Sequence, residues 1–182
     1  MQYNGNTLQE QWAKQLVNKD STLEERIQHL RENKFNMHLI NELVEQLYLE
    51  SIRENSARIA YIDDPTEAIQ IEAIRLNPHN LGYIKEPTER VKLTAVGIDG
   101  GVIQLIKGPT ENILTEALHN FKTWLLHYGN NPHSVQIDYA EVIVKSCLFI
   151  NSSSATKAIK KTASNILKQA LDIVDAHQDE LE

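Results

Sequence analysis

Residues 61–82 read YIDDPTEAIQIEAIRLNPHNLG, and the following 22 residues, 83–104, read YIKEPTERVKLTAVGIDGGVIQ. Both stretches carry Pro-Thr-Glu at the same place, and a third copy of the tripeptide begins 22 residues later, at Pro109. Two earlier segments align in the same register without a gap, namely 17–38 and 39–60. With 105–126, this makes five aligned rows, and repetition at such a period predicts a stack of similar units.

The aligned rows keep one kind of residue at each position. One apolar column contains Leu30, Ile52, Ile74, Val96 and Leu118, a second contains Met37, Ile59, Leu81, Ile103 and Leu125, and a third contains Ile40, Ile62, Ile84 and Ile106. A small-residue column contains Ser51, Ala73, Ala95 and Ala117, with His29 as the exception, and a polar column contains Asn33, Asn55, Asn77 and Asp99. Because one short helix cannot bury its own apolar face, these columns predict packing between neighbouring rows.

Each row has the pattern of an α-helix followed by a shorter one. Asp64 is expected to cap the α-helix, with Pro65 at its first position and Glu67 closing a capping box. Asn77 is expected to end that helix, because asparagine tolerates the left-handed conformation. Residues 79–84 have the spacing of a short helix or 3₁₀ turn.

These patterns predict an all-α fold, an α-solenoid of short helix/3₁₀ repeats with capping helices at both ends. We expect an N-terminal capping helix in residues 1–20, five repeats in 21–126, and a C-terminal helical cap with a frayed acidic tail in 127–182. Residues 133–150 are rich in β-branched residues, which leaves a buried strand open. Their Asn-Pro start and helical context favour a helix.

Composition limits the classes of function. The net charge is −7, from 18 basic and 25 acidic residues, which disfavours a nucleic-acid binder. The chain has one cysteine, Cys147, no apolar run of membrane-spanning length and no signal-peptide pattern at its beginning. We therefore expect a cytoplasmic protein that does not bind membranes.

The pattern NP-x-x-L-x-Y-I-x-x-P-T-E-x-[IV] occurs at Asn77-Pro78, Leu81, Tyr83-Ile84, Pro87-Thr88-Glu89 and Val91. In this respect the chain resembles short helical repeats classed as a domain of unknown function in bacterial and phage proteins. It is also similar to leucine-rich variant repeats, which alternate an α-helix with a 3₁₀ helix. The resemblance covers roughly residues 27–118. It implies a repeat fold, suggests a binding role and brings no catalytic motif.

Three groups of residues are candidates for binding a partner. Arg31, Arg53 and Arg75 share a column that could hold an acidic partner or a phosphate, although arginine in a last helical turn also complements the helix dipole and neighbouring glutamates. Tyr48 and Leu114 share a column with Gln70 and Lys92, which suggests exposure, although repeats at the edge of a stack often bury such positions against capping helices. Lys157, Lys160 and Lys161 lie near the start of the last predicted helix, where the dipole disfavours cations.

No pattern in the sequence predicts catalysis, a metal or a cofactor. The glutamate column (Glu45, Glu67, Glu89 and Glu111) lies where capping glutamates belong, and the seven histidines lack metal-ligand spacing. Cys147 lies in an apolar run typical of an inert buried thiol. We therefore expect a non-enzymatic protein that binds another protein, of the kind by which a phage or mobile element modulates its host. A nucleic-acid or nucleotide binder using the arginine column and Lys157–Lys161 is the alternative, and a homo-oligomer is left open.

Overall fold

The computed structural model describes residues 22–32, 37–128 and 134–179. Its α-helices in this part of the chain are α1 (Leu23–Glu32), α2 (Met37–Glu54), α3 (Glu67–Leu76), α4 (Glu89–Ile98), α5 (Glu111–Tyr128), α6 (Ser134–Ser152) and α7 (Lys157–Asp179). Its 3₁₀ helices are η1 (Ser56–Tyr61), η2 (Pro78–Tyr83) and η3 (Gly100–Leu105). The expected capping helix in 1–20 and the last residues of the expected acidic tail lie outside the described residues.

The described part of the chain is all-helical, as predicted, and contains no strand. α3 and α4 begin 22 residues apart, and so do η1, η2 and η3. The segment 133–150, for which a strand was the alternative, contributes to α6 from Ser134 onward. The predicted 3₁₀ turn at 79–84 is confirmed, with bounds at Pro78–Tyr83.

Threonine, and not the preceding acidic residue, caps α3 and α4. The hydroxyl of Thr66 accepts a hydrogen bond from the Ile69 backbone N–H at 3.4 Å, and Thr88 does the same for Val91 at 3.3 Å. The prediction that Asp64 caps the helix and Pro65 is its first residue is therefore wrong. Asp64 instead has φ +52°, a left-handed conformation that turns the chain before the helix begins.

The glutamate column links neighbouring rows instead of closing capping boxes. The hydroxyl of each capping threonine donates to the glutamate of the preceding row: Thr66 to Glu45 at 2.6 Å, Thr88 to Glu67 at 2.7 Å and Thr110 to Glu89 at 2.5 Å. Each threonine thus serves its own helix as acceptor and its neighbour as donor. The Thr-Glu of the repeated tripeptide is a connection between rows, and the capping interpretation of these glutamates is wrong.

The polar column begins the 3₁₀ helices. The side-chain oxygens of Asn55, Asn77 and Asp99 accept the backbone N–H two residues later, at 2.8–3.1 Å. Asn77 is not left-handed as expected, because its φ is −155°. Its backbone N–H closes α3 on Ala73 while its side chain opens η2, so one extended residue serves both helices.

The core lies between successive helices. α2, α3, α4 and α5 each pack against the next, and η1, η2 and η3 do so beside them. The described side chains of all three apolar columns are buried, and so are Ser51, Ala73, Ala95 and Ala117. α6 packs against η3 and pairs with α7, which also packs against α5, so these two helices cover the last row.

Replacing Ala95 by leucine should test this close approach of helices. Ala95 has no exposed surface, and it lies on α4 between α3 and α5. Three extra side-chain carbons must displace a packed neighbour, so we expect unfolding free energy to fall by about 1–3 kcal/mol. Urea denaturation followed by circular dichroism measures this loss. Unchanged stability would mean that the small column does not face a neighbouring helix.

Candidate interaction surface

Three exposed apolar side chains occupy one register position at the ends of the 3₁₀ helices. They are Tyr61, Tyr83 and Leu105, with exposed fractions of 87%, 57% and 47%. We call this set the Tyr-Leu row. Each member directly precedes a buried isoleucine and follows another buried residue by two positions. Tyr61, for example, comes two residues after Ile59 and just before Ile62. Because a 3₁₀ helix repeats every three residues, the residue between these buried positions faces solvent.

The members of the Tyr-Leu row lie on neighbouring elements. η1 packs against η2, and η2 packs against η3. A Cβ placed on Gly82 would lie 3.9 Å from Leu105 Cδ1, so the leucine side chain reaches over the preceding 3₁₀ helix. The three exposed side chains therefore lie on three successive 3₁₀ helices that contact one another.

A cleft of about 810 Å³ opens at the first member of this row. Its lining includes Arg31, Tyr48, Arg58 and Tyr61. Tyr48 is half-buried and packs against both the small α1–α2 core and the main core. The structure thus brings together two of the predicted binding residues, Arg31 and Tyr48, beside a tyrosine that sequence reasoning did not select.

Arg58 gives this cleft an oriented guanidinium, and Asp63 also lines the cleft. Its guanidinium donates to Glu54 Oε2 at 2.7 Å and to Ser51 Oγ at 3.1 Å. Since the guanidinium is about half exposed, these contacts orient the side chain without enclosing it. The cleft therefore offers both aromatic surface and hydrogen-bond donors.

The predicted arginine column is not uniform. Arg53 Nε donates to Glu72 on the next helix at 2.9 Å. This agrees with the interpretation in which these arginines pair with neighbouring glutamates. The residue that corresponds to Glu72 one row later is Thr94, whose hydroxyl donates to the Arg90 carbonyl. Arg75 therefore has no carboxylate at the place where Arg53 finds one, and it is exposed.

Leu114 is buried, with 2% of its surface exposed, so the expectation that it is exposed is wrong. Its column faces inward even where it carries polar residues. Gln70, in the same column, is 8% exposed, and its side-chain amide donates to the Pro65 carbonyl at 2.8 Å. The polar residues of this column misled the prediction because glutamine is buried here although only its N–H group has a partner: Gln70 Oε1 has no hydrogen-bond partner among the described residues.

The lysine group lies away from the arginine column. Lys157, Lys160 and Lys161 lie in the first turns of α7, which packs against α5 and α6. Arg53 and Arg75 lie near the ends of α2 and α3, with α4 between α3 and α5. The two groups therefore do not form one basic patch.

Catalysis or metal binding depends on the burial and clustering of the residue types that could support it in the described ranges. Cys147 is fully buried, and burial raises the pKa of its thiol to about 12. Within the described ranges, no group of three or more His, Cys, Asp or Glu side chains is placed to hold a metal ion. The same part of the chain has no helix that is long and apolar enough to cross a membrane.

Sequence reasoning missed the Tyr-Leu row although a signal was present. The aligned rows begin Tyr61-Ile62, Tyr83-Ile84 and Leu105-Ile106, two large apolar residues side by side. Adjacent residues of a 3₁₀ helix end cannot both face the core, so one of each pair had to be exposed.

Comparison of the chain with protein-family models, with curated proteins and with solved structures finds no match.

Proposed function

We propose that this chain is a non-enzymatic α-solenoid that binds another protein along a surface running from the Arg31–Tyr48 cleft over the Tyr-Leu row. The observation that carries the proposal is the exposure of Tyr61, Tyr83 and Leu105 at one register position on three contacting 3₁₀ helices. A soluble protein rarely repeats an exposed large apolar residue without a use for it, and such strips are typical of interaction sites.

The chemistry of this surface suits a protein partner. Tyrosine combines a large apolar face with a hydroxyl that can hydrogen-bond, and it is enriched among the anchors of interfaces. Neighbouring helical elements lie about 8–10 Å apart, so three members span roughly 20 Å. A partner that contacts all three must present an extended surface, which favours a macromolecule over a small ligand.

The charges favour a protein over nucleic acid. The chain carries −7 overall, Arg53 is paired with Glu72, and the lysine group of α7 lies apart from the arginines. A nucleic-acid duplex would need several basic side chains on one face to displace its counterions. The Tyr-Leu row instead offers apolar contact, whose strength depends little on salt.

The resemblance to repeats of bacterial and phage proteins supports a narrower form of the proposal. In that form the chain is a cytoplasmic phage or mobile-element accessory protein, and the partner is a host protein whose activity it modulates. The same surface could also meet a second copy of this chain. Size-exclusion chromatography with light scattering on the purified protein separates the two cases.

Replacing Tyr61 and Tyr83 together by serine should weaken binding of the partner by about tenfold or more, which is at least about 1.4 kcal/mol. Both side chains are exposed, so the loss of contact surface should not lower stability. The measurement is a quantitative pull-down with tagged wild-type and variant proteins, followed by titration of the protein recovered.

Leu126→Ser is the matched control, because Leu126 is 72% exposed but lies on α5 outside the Tyr-Leu row. It should recover the partner as well as the wild type does. Equal recovery by the double serine variant, or loss only in the control, would contradict the proposal.

A further inference from the structure

A second pocket, separate from the Tyr-Leu row, lies where α4 ends against α5 and α6. It has a volume of about 490 Å³ and is lined by Ile98, Asp99, Asn120, Trp124, Tyr128 and Tyr139, among others. The Trp124 ring centroid lies 5.7 Å from that of Tyr128 and 5.2 Å from that of Tyr139, and the rings are tilted by 38° and 42°. The pocket therefore combines an aromatic wall with one carboxylate and the imidazole of His127.

Asp99 is the acidic residue in a column that otherwise contains asparagine, and helix capping does not require its charge. The corresponding residues of the two preceding rows, Asn55 and Asn77, cap their 3₁₀ helices with an amide oxygen. Asp99 makes the same bond to the Gly101 N–H at 2.8 Å. Because asparagine performs this task twice, the negative charge of Asp99 is additional to it.

A hydrogen-bond network holds the carboxylate in place. The Tyr139 hydroxyl lies 3.0 Å from Asp99 Oδ1 and 3.1 Å from Asn120 Oδ1, and its single proton is shared between these two acceptors. Asn120 is itself fixed, since its Oδ1 accepts the Gly100 N–H and its amide donates to the Gly97 carbonyl. A phenol is protonated at neutral pH in any case, and burial, together with the Asp99 charge, raises the pKa of Tyr139 further.

The second carboxylate oxygen has an exposed partner that does not line the pocket. Asp99 Oδ2 lies 3.3 Å from Nε2 of His79, whose side chain is 68% exposed. An exposed imidazole that reaches the carboxylate from solvent can be displaced by a ligand cation. The Asp99 side chain itself is 22% exposed, so a donor from outside can reach it.

From this arrangement we infer that the pocket binds the guanidinium group of an arginine side chain. A planar guanidinium can stack on the Trp124–Tyr128 wall while an N–H donates to the Asp99 carboxylate, which lines the same pocket. The fixed negative charge would repel a phosphate or a carboxylate. This inference rests on the proposed function, since the arginine would belong to the bound protein, and it gives that partner a chemical requirement.

The probe is N-acetyl-arginine methylamide, which carries the side chain but neither a free amino nor a free carboxyl group. In NMR spectra the probe should shift the indole N–H resonance of Trp124. The Trp12→Phe variant identifies that resonance, because it leaves Trp124 as the only tryptophan. The expected Kd is on the order of 1 mM. The uncharged citrulline analogue has nearly the same shape and should bind at least about fivefold more weakly. Binding that is seen only with free L-arginine would overturn the assignment to a partner side chain.

Asp99→Asn is the decisive variant, because the column already uses asparagine in this cap. It should fold normally and bind the arginine probe about tenfold more weakly, and Tyr128→Ala, at an exposed site, should also weaken binding. Equal binding of arginine and citrulline probes, or undiminished binding by Asp99→Asn, would overturn the inference. These results leave the Tyr61/Tyr83 serine experiment unaffected, so failure of the pocket and failure of the proposed function are distinguishable.

Discussion

Replacing Phe121 by alanine is expected to lower the free energy of unfolding by about 3–5 kcal/mol. Phe121 on α5 is completely buried, and its ring lies against the start of η3. A Cβ placed on Gly100 would lie 2.5 Å from the ring carbon Cε1, so the glycine is what admits the ring. Removing the ring therefore leaves a cavity in the main core where η3 and α5 meet.

Urea unfolding followed by circular dichroism measures the loss. Lys122→Ala is the matched control, because the neighbouring lysine is exposed on the same helix and its removal should change stability by no more than about 0.5 kcal/mol. A loss of less than about 1 kcal/mol for Phe121→Ala would contradict the packing of η3 against α5.

Cys147 is expected to react with thiol reagents about a thousandfold more slowly in the native protein than in the unfolded chain. Burial raises the pKa of this thiol from 9.0 to about 12, so the reactive thiolate at pH 8 is scarcer by about three powers of ten. The folded state therefore retains the proton, and labelling should speed up as pH rises.

Labelling with iodoacetamide, followed by mass spectrometry, gives the two rates at pH 8. The chain has a single cysteine, so the guanidinium-unfolded protein provides the reference without ambiguity. Native labelling within tenfold of that reference would place Cys147 in an accessible site and would reopen the question of a nucleophile.

The helical class and the burial pattern could be predicted because they depend on periodicity. Every described side chain of the three apolar columns is buried, and Ser51, Ala73, Ala95 and Ala117 of the small-residue column are buried as well. Spacing also located the 3₁₀ segments, since buried residues three apart match their period. The arrangement of the rows as a solenoid stays a prediction.

The helix caps could not be predicted correctly because several residue types compete for one role. Asp64, Pro65 and Thr66 all suit the beginning of a helix, and only the backbone decides that Thr66 caps. The hydrogen bonds from each capping threonine to the preceding row join residues 21 apart in the chain. Such contacts between rows carry no local signal.

The candidate surface was predicted only in part. Arg31 and Tyr48 do line one cleft, whereas Leu114 is buried and the lysine group lies elsewhere. Polarity in a column was taken as a sign of exposure, and Gln70 shows why this fails: its side chain is buried, with its N–H bonded to the Pro65 carbonyl and its Oε1 without a partner among the described residues. The Tyr-Leu row was overlooked because only the isoleucine of each adjacent pair was assigned to a column, and the residue before it was given no place.

The central claim, that one partner lies along the Tyr-Leu row, is tested most directly by photo-crosslinking. p-Benzoyl-phenylalanine would replace Tyr61, Tyr83 or Leu105 one at a time, with position Leu126 as the exposed control outside the row. We predict that all three positions crosslink to the same protein and that the control does not. A protein that crosslinks from position Leu126 but from none of the three positions of the Tyr-Leu row would contradict the account.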